Sequence, residues 1–186
     1  MRARSWKFVG LLAVAGVALA GCIGPGTHVV TPTLKNNTAA PGLWHTFGGN
    51  GCYWARLSGL SGTPADIIAS AASVSGPRYV EIKSTDAGFT STACLPWAKA
   101  DGPFDKKIGV NTAGEFGNGD YRVGPDIAAG NYTATNAAGC HWARLSGFGG
   151  QQTDVIASSL GTDAVTIASG DAGFSSTGCG TWKPAP

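Results

Sequence analysis

The stretch that decides the fold is CYWARLSG at residues 52–59, which recurs as CHWARLSG at 140–147 with seven of eight positions identical. A second stretch, DAGFTSTAC at 86–94, recurs as DAGFSSTGC at 171–179 with seven identities in nine. The offset between the copies falls from 88 residues to 85, so the second copy is three residues shorter between the two stretches. Repetition over such a period predicts two similar modules in tandem.

Four of the five cysteines belong to these copies, one early and one late in each. Four cysteines allow three pairings, and the pairing that lets each copy fold alone joins Cys52 to Cys94 and Cys140 to Cys179. The chain-entropy model gives each such bond roughly 4 kcal/mol of stability. Because the core of so small a module is marginal, we expect a disulfide in both copies.

Short runs rich in β-branched and aromatic residues alternate with clusters of Gly, Ser, Pro and Asp in both copies. The run 79–83 places Val80 and Ile82 on one face, and Val165 and Ile167 keep these positions in the second copy. These patterns predict an all-β fold of two tandem, small, disulfide-linked β-sandwich or β-barrel modules. The predicted strands are 53–57, 67–70, 79–83, 90–94, 141–145, 155–158 and 164–168.

The N-terminal segment has the order of a secretory signal: basic residues, an apolar run over 8–20 and a small residue. Its end reads LAGC at 19–22 and resembles the bacterial lipobox, in which the cysteine carries a diacylglycerol and a further acyl chain such as palmitate. The alternative is an ordinary signal peptide followed by an incidental cysteine. Since two or more acyl chains anchor a protein stably, we expect Cys22 to hold the protein on the extracytoplasmic face of the cell membrane.

The composition between these features predicts the remaining organisation. The opening of the second copy, 120–132, has a weak match in the first copy, so we expect the first strand of the first copy to be degenerate. Between the copies, Ile108 and Val110 are placed to add a strand to either module. The predicted segments are a signal peptide with lipobox at 1–21, the lipidated cysteine and a flexible tether at 22–40, the first module at 41–99, a linker at 100–119, the second module at 120–183 and a tail at 184–186.

Charge and motifs exclude several classes of function. The chain has 13 Lys and Arg against 11 Asp and Glu, and loss of the signal would leave it near neutrality, which argues against a nucleic-acid partner. Its three histidines, His28, His45 and His141, do not recur between the copies, and no GxSxG, HExxH or P-loop motif is present. No cluster has metal-ligand spacing. We therefore expect no enzyme activity, no metal and no cofactor.

Arg56 and Arg144 share one position in the two copies and have two interpretations. Each either binds a carboxylate or phosphate of a ligand, or pairs with an acidic residue of its own module and fixes a loop. The second interpretation is favoured, because a partly buried charge persists only when it is paired. The recurring acidic residues are Asp66, Asp86, Asp154 and Asp171.

Aromatic residues supply the remaining candidates for ligand contact. Tyr53 and His141 share a variable position beside the first cysteine of each copy, so we expect both to face solvent and to distinguish the copies. Four tryptophans would form a sugar-stacking platform if they were exposed, although duplicated aromatics near disulfides are more often core. These tryptophans are Trp54, Trp97, Trp142 and Trp182.

The YRVG opening at 121–124, the CxWARLSG and DAGFxSTxC stretches and the final tryptophan together resemble a repeated module of secreted proteins and lipoproteins of actinobacteria and some of their phages. The resemblance implies an extracytoplasmic location and brings no catalytic activity. For the anchored, non-enzymatic tandem modules we expect the function of a cell-envelope binding or interaction protein whose partner is an envelope glycan or a membrane or phage protein. The alternatives are a phage-derived lipoprotein acting in superinfection exclusion, similar in architecture only, and a secreted hydrolase.

Overall fold

The computed structural model describes residues 21–73, 75–102 and 108–186. These residues form two all-β halves, which confirms the predicted fold class. The first half contains β1 (Cys22–Ile23), β2 (Gly26–Val30), β3 (Thr38–Ala39), β4 (Gly42–Thr46), β5 (Cys52–Leu57), β6 (Ile67–Ser73), β7 (Arg78–Ile82), β8 (Gly88–Thr92) and β9 (Trp97–Lys99). The second half contains β10 (Gly119–Arg122), β11 (Gly130–Ala134), β12 (His141–Leu145), β13 (Val155–Leu160), β14 (Ala164–Ile167), β15 (Gly173–Thr177) and β16 (Trp182–Pro184).

Each half is a sandwich of two sheets. In the first half, the sheet β1-β9-β4-β7 packs on β3-β2-β8-β5-β6; in the second, β14-β11-β16 packs on β10-β15-β12-β13. Equivalent aromatic pairs join the sheets, since the ring centroid of Phe89 lies 5.4 Å from that of Trp97, and that of Phe174 lies 5.2 Å from that of Trp182. The shared strand order shows that the halves are two copies of one fold.

The strands form where the sequence alternates. Val80 and Ile82 in β7, and Val165 and Ile167 in β14, are buried while the residue between them is exposed. β-branched side chains suit such a half-buried pleated surface. The seven predicted strands correspond to β5, β6, β7, β8, β12, β13 and β14, with ends that differ by up to three residues.

Both predicted disulfides are present. Cys52 is bonded to Cys94 with an S–S distance of 2.10 Å, and Cys140 to Cys179 at 2.08 Å. All four cysteines are buried. Each bond joins the start of β5, or the residue just before β12, to the chain just after β8 or β15. Each half is therefore closed by its own covalent bond.

The expectation of a flexible tether over 22–40 is wrong, because this segment supplies β1, β2 and β3 to the two sheets of the first half. Ile23 is 1% exposed, and His28 is buried. β2 pairs with β8 as β10 pairs with β15, so the first strand of the first copy is not degenerate. Its relation to the second copy is hidden in the sequence by a longer connection to the next common strand, 31–41 against 123–129.

The expected linker over 100–119 is wrong in its second part. Ile108 and Phe116 are each 1% exposed in the core of the second half. Phe116 forms β-bridges with Val110 and Trp182, so 108–118 belong to that half. The rest of the predicted linker, 103–107, and the predicted signal over 1–20 lie outside the described residues.

Candidate functional site

The outer face of β5 and β8 carries an open groove of about 510 Å³, which we call the first groove. Leu57 from β5, Leu60 from the following loop and Ile67 from β6 form its apolar part. Asp66 fixes the loop by accepting hydrogen bonds from the backbone N–H and the hydroxyl of Ser61, both at 2.7 Å. These bonds lower the pKa of Asp66 below its usual value. The polar rim of the first groove also includes Thr27, Tyr53 and Thr90.

The second half has a groove built from the equivalent positions, which we call the second groove. Leu145 and Phe148 stand where Leu57 and Leu60 stand, and Asp154 fixes the loop by accepting the backbone N–H of Gln151 at 3.0 Å. The rims also correspond. In the first groove, the hydroxyls of Thr27 and Thr90 form a hydrogen bond at 2.9 Å. In the second, Ser175 donates to Asp120 at 2.7 Å.

The second groove is covered by the first half, which leaves a cavity of about 240 Å³. β7 lies across it as an extended segment. The backbone N–H of Asp120 donates to the carbonyl of Pro77 at 2.9 Å, and the N–H of Glu81 donates to the carbonyl of Phe148 at 2.8 Å. Between them, the N–H of Tyr79 donates to the Asp120 carboxylate at 3.2 Å. An edge strand of one half is thus bound by the groove of the other.

Side chains complete this contact between the halves. Arg78 forms an ion pair with Asp120 at 2.9 Å, and both side chains are about nine-tenths buried. The ring centroid of Tyr79 lies 5.1 Å from that of Phe148, and the guanidinium of Arg122 lies over the Tyr79 ring at 5.2 Å. The covering strand therefore inserts one aromatic side chain between an aromatic ring and a cation.

The first groove has no such cover among the described residues. Leu60 is 51% exposed whereas Phe148 is 7% exposed; Val29 is 47% exposed whereas Arg122, at the equivalent position of β10, is 7% exposed. Ile67 is also exposed. Sequence reasoning missed this surface because Leu60 and Ile67 look like core residues in a strand-rich sequence. The sequence signal for this exposed surface is the difference between the copies, with Leu60 in place of Phe148 and Val29 in place of Arg122.

The two aromatic candidates lie on this outer face. Tyr53 is half-buried at the rim of the first groove. His141, at the equivalent position of β12, is exposed but does not line the cavity that remains in the second groove. The structure thus brings Tyr53 into a candidate site and leaves His141 outside it.

The two arginines pair with acidic residues of their own halves. Arg56 donates two hydrogen bonds to Asp86, both at 2.7 Å, and Arg144 donates two to Asp171, at 2.7 and 2.8 Å. The bonds from Arg144 lower the pKa of Asp171 and raise that of Arg144. Arg56 is 1% exposed and also donates to the carbonyl of Gly149 at 2.8 Å, so a ligand contact by Arg56 is wrong.

The tryptophans are mainly core. Trp97 and Trp182 have no exposed surface, and Trp54 is 3% exposed. Trp142 is partly buried and stacks on Phe174 with ring centroids 6.4 Å apart. Three of the four rings are therefore inaccessible to a sugar, and the sugar-stacking platform is wrong for them.

A metal-binding cluster and a membrane-spanning helix are both absent from the described ranges. Among residues 21–73, 75–102 and 108–186, no three His, Cys, Asp or Glu side chains are placed to hold a metal ion. In the same part of the chain, no helix has the length and apolar character needed to cross a membrane.

The fold and its disulfides define a class: an all-β protein of two repeated, disulfide-linked sandwiches. Within that class, the family model of the Rv1352-like extracellular domain matches residues 22–98 and 113–183, one segment in each half. The chain belongs to this family and is an extracellular domain. Comparisons with curated proteins and with solved structures gave no match.

Proposed function

We propose that this chain is a lipid-anchored extracellular protein that binds a partner of the cell envelope through the first groove and catalyses no reaction. One observation carries the proposal: the same face that is bound by a strand in the second half is open and apolar in the first. A contiguous exposed apolar patch with a polar rim is a feature of interaction sites. A phage-exclusion role and a hydrolase activity stay predictions without a structural observation in their favour.

The anchor is proposed at Cys22, which follows the lipobox-like residues and has a free thiol. Cys22 begins β1 and pairs with Ala98, and the next residue, Ile23, is buried in the core. A lipid on Cys22 would therefore be joined to the fold without an intervening tether. The first half would lie at the membrane surface, with the edge β1-β9 nearest to the lipid.

Anchoring is tested by expressing the full chain and its Cys22→Ser variant in an actinobacterial host. The wild type is expected in the detergent phase after Triton X-114 partition, with a mass increase for a diacylglycerol, and the variant in the aqueous phase. Equal partition of both proteins would contradict the anchor.

Binding is tested by co-sedimentation of the mature chain, residues 22–186 with Cys22→Ser, with washed cell walls and with membrane vesicles. We expect saturable binding that Leu60→Asp abolishes. The matched control is Leu160→Asp, which alters a 74% exposed leucine outside the first groove and should bind like wild type. No binding to either material, or equal loss in both variants, would overturn the proposed function.

A further inference from the structure

The occupant of the second groove shows what this fold binds. β7 is the edge strand of its sheet, and its outer edge makes the contacts at Pro77, Tyr79 and Glu81. Alternate residues of an extended segment therefore bond to the groove, while the Tyr79 ring enters beside Phe148. Two backbone hydrogen bonds and one bond to a carboxylate thus hold the extended segment while one side chain fills the groove. Peptide recognition by strand addition also combines backbone bonds with a side-chain pocket, although β7 forms no continuous ladder with β10.

The first groove retains some of the parts that bind this strand. Leu60 lies on β8 as Phe148 lies on β15: a Cβ on Gly88 would meet Leu60 at 2.6 Å, and one on Gly173 would meet Phe148 at 2.2 Å. β3 pairs with β2 only at Val29 and Val30, so the preceding part of that edge has no partner strand among the described residues. The backbone of β2 at Thr27, which corresponds to Asp120 in β10, is thus available to a ligand.

The differences between the grooves define the ligand. Thr27 replaces Asp120, which removes the carboxylate that pairs with Arg78. Val29 replaces Arg122 and Leu60 replaces Phe148, so the place of the Tyr79 ring becomes wholly apolar. The first groove therefore favours an aromatic side chain flanked by an uncharged residue.

A second copy of this chain fits poorly. The strand equivalent to β7 in the second half is β14, where Asp163 replaces Arg78 and Ala164 replaces Tyr79. β14 would bring a negative charge and no ring to the first groove. We therefore take the occupant to be a segment of a different protein.

We propose that the first groove binds an extended, uncharged segment of another extracellular protein, held by backbone hydrogen bonds and with its aromatic side chain between Val29 and Leu60. This deepens the proposed function and rests on it. The partner class is a protein segment, and an envelope glycan is an alternative outcome of the test.

The probe is a synthetic peptide of residues 76–82, GPRYVEI, with Arg78→Thr and Glu81→Gln to match the uncharged groove. It is titrated into isotopically labelled mature chain carrying Cys22→Ser. We expect saturable shifts of the amides of Thr27, Tyr53 and Leu60. Adding Tyr79→Ala to the peptide should weaken binding at least tenfold, and Leu60→Asp in the protein should do the same while Leu160→Asp does not.

Three results would overturn the inference: no binding, equal affinity of the peptide without the tyrosine ring, or shifts away from the first groove. Self-association in the ultracentrifuge that Leu60→Asp abolishes would assign the groove to a second copy instead. If the peptide fails while cell-wall binding still depends on Leu60, a wall component other than such a segment occupies the groove and only the peptide inference fails. If wall binding fails as well, the proposed function fails with it.

Discussion

Arg56 and Arg144 occupy one position of the repeat, yet their surroundings differ. The Arg56 side chain is 2% exposed and that of Arg144 is 24% exposed, because the loop that carries Gly149 covers only Arg56. The sequence could predict that each arginine pairs with an acidic residue. It could not predict the burial of Arg56, which depends on the contact between the halves.

Loss of the two arginines should therefore have unequal effects. Arg56→Leu leaves the buried Asp86 without its partner and should cost about 3–5 kcal/mol. Arg144→Leu removes a pair whose arginine side chain is 24% exposed and should cost about 1–3 kcal/mol. Urea unfolding with the disulfides intact measures both. Equal losses would mean that Arg56 is not buried between the halves.

Gly150 and Gly62 hold equivalent positions in the two copies, so alanine substitutions at the two sites can be compared to test how closely the halves approach each other. Both have positive φ, +75° and +77°, so alanine at either should cost about 1–2 kcal/mol of backbone strain. A Cβ on Gly150 would also meet the Trp54 ring at 2.5 Å, whereas one on Gly62 has open space. Gly150→Ala should therefore lose a further 1–3 kcal/mol or so. Equal free energies of unfolding for the two variants would contradict the packing of Trp54 on Gly150.

Tyr121 gives the second half a dependence on alkaline pH. Burial raises the pKa of Tyr121 to about 12, against 10 when it is exposed on unfolding. The neutral form is therefore favoured in the folded state, and this contribution of about 2 kcal/mol is complete below pH 10 and is lost as pH rises toward 12. In Tyr121→Phe, the free energy of unfolding should fall less steeply between pH 9 and 11.5 than in wild type. Parallel curves would contradict this.

At the scale of elements, regular alternation decided what could be predicted. β5 and β12 follow from the repeated CxWARLSG motif, and β7 and β14 from the alternation of apolar and polar residues, which the burial of these two strands matches. β2 could not be predicted, because its pattern is short and its neighbours Gly24, Pro25 and Pro32 are typical of a linker. Of the residues that line the first groove, only Tyr53 was predicted to contact a ligand. The exposure of Leu60 depends on tertiary structure and could not be predicted.

The role of β1 distinguishes a core segment from a tether. Ile23→Ala should cost about 2–5 kcal/mol, because it opens a cavity in the first half. Val29→Ala, in the neighbouring β2, should change stability little because Val29 is 47% exposed. Thermal unfolding followed by circular dichroism compares the two. If Ile23→Ala had no effect on thermal unfolding, this segment would be a flexible tether and not part of the core.

At the scale of the whole molecule, the halves pack head to tail. The groove of the second half binds β7 of the first half, while among the described residues the first groove stays open and β14, the counterpart of β7, has no partner strand on its outer edge. The repeat predicted two equal modules but not this packing. Several differences between the copies lie at this contact: Arg78, Tyr79, Asp120 and Phe148 are aligned with Asp163, Ala164, Thr27 and Leu60.

The central claim is that β7 is bound by the second half while its copy, β14, is free, and amide hydrogen exchange of the mature chain tests it most directly. The outward N–H groups of Tyr79 and Glu81 donate across the contact, whereas Ala164 and Thr166 hold the same positions on an exposed edge. We predict exchange at Tyr79 and Glu81 that is slower by orders of magnitude than at Ala164 and Thr166. Comparable rates in the two strands would contradict the packing of the halves, and with it the distinction between an occupied groove and an open one.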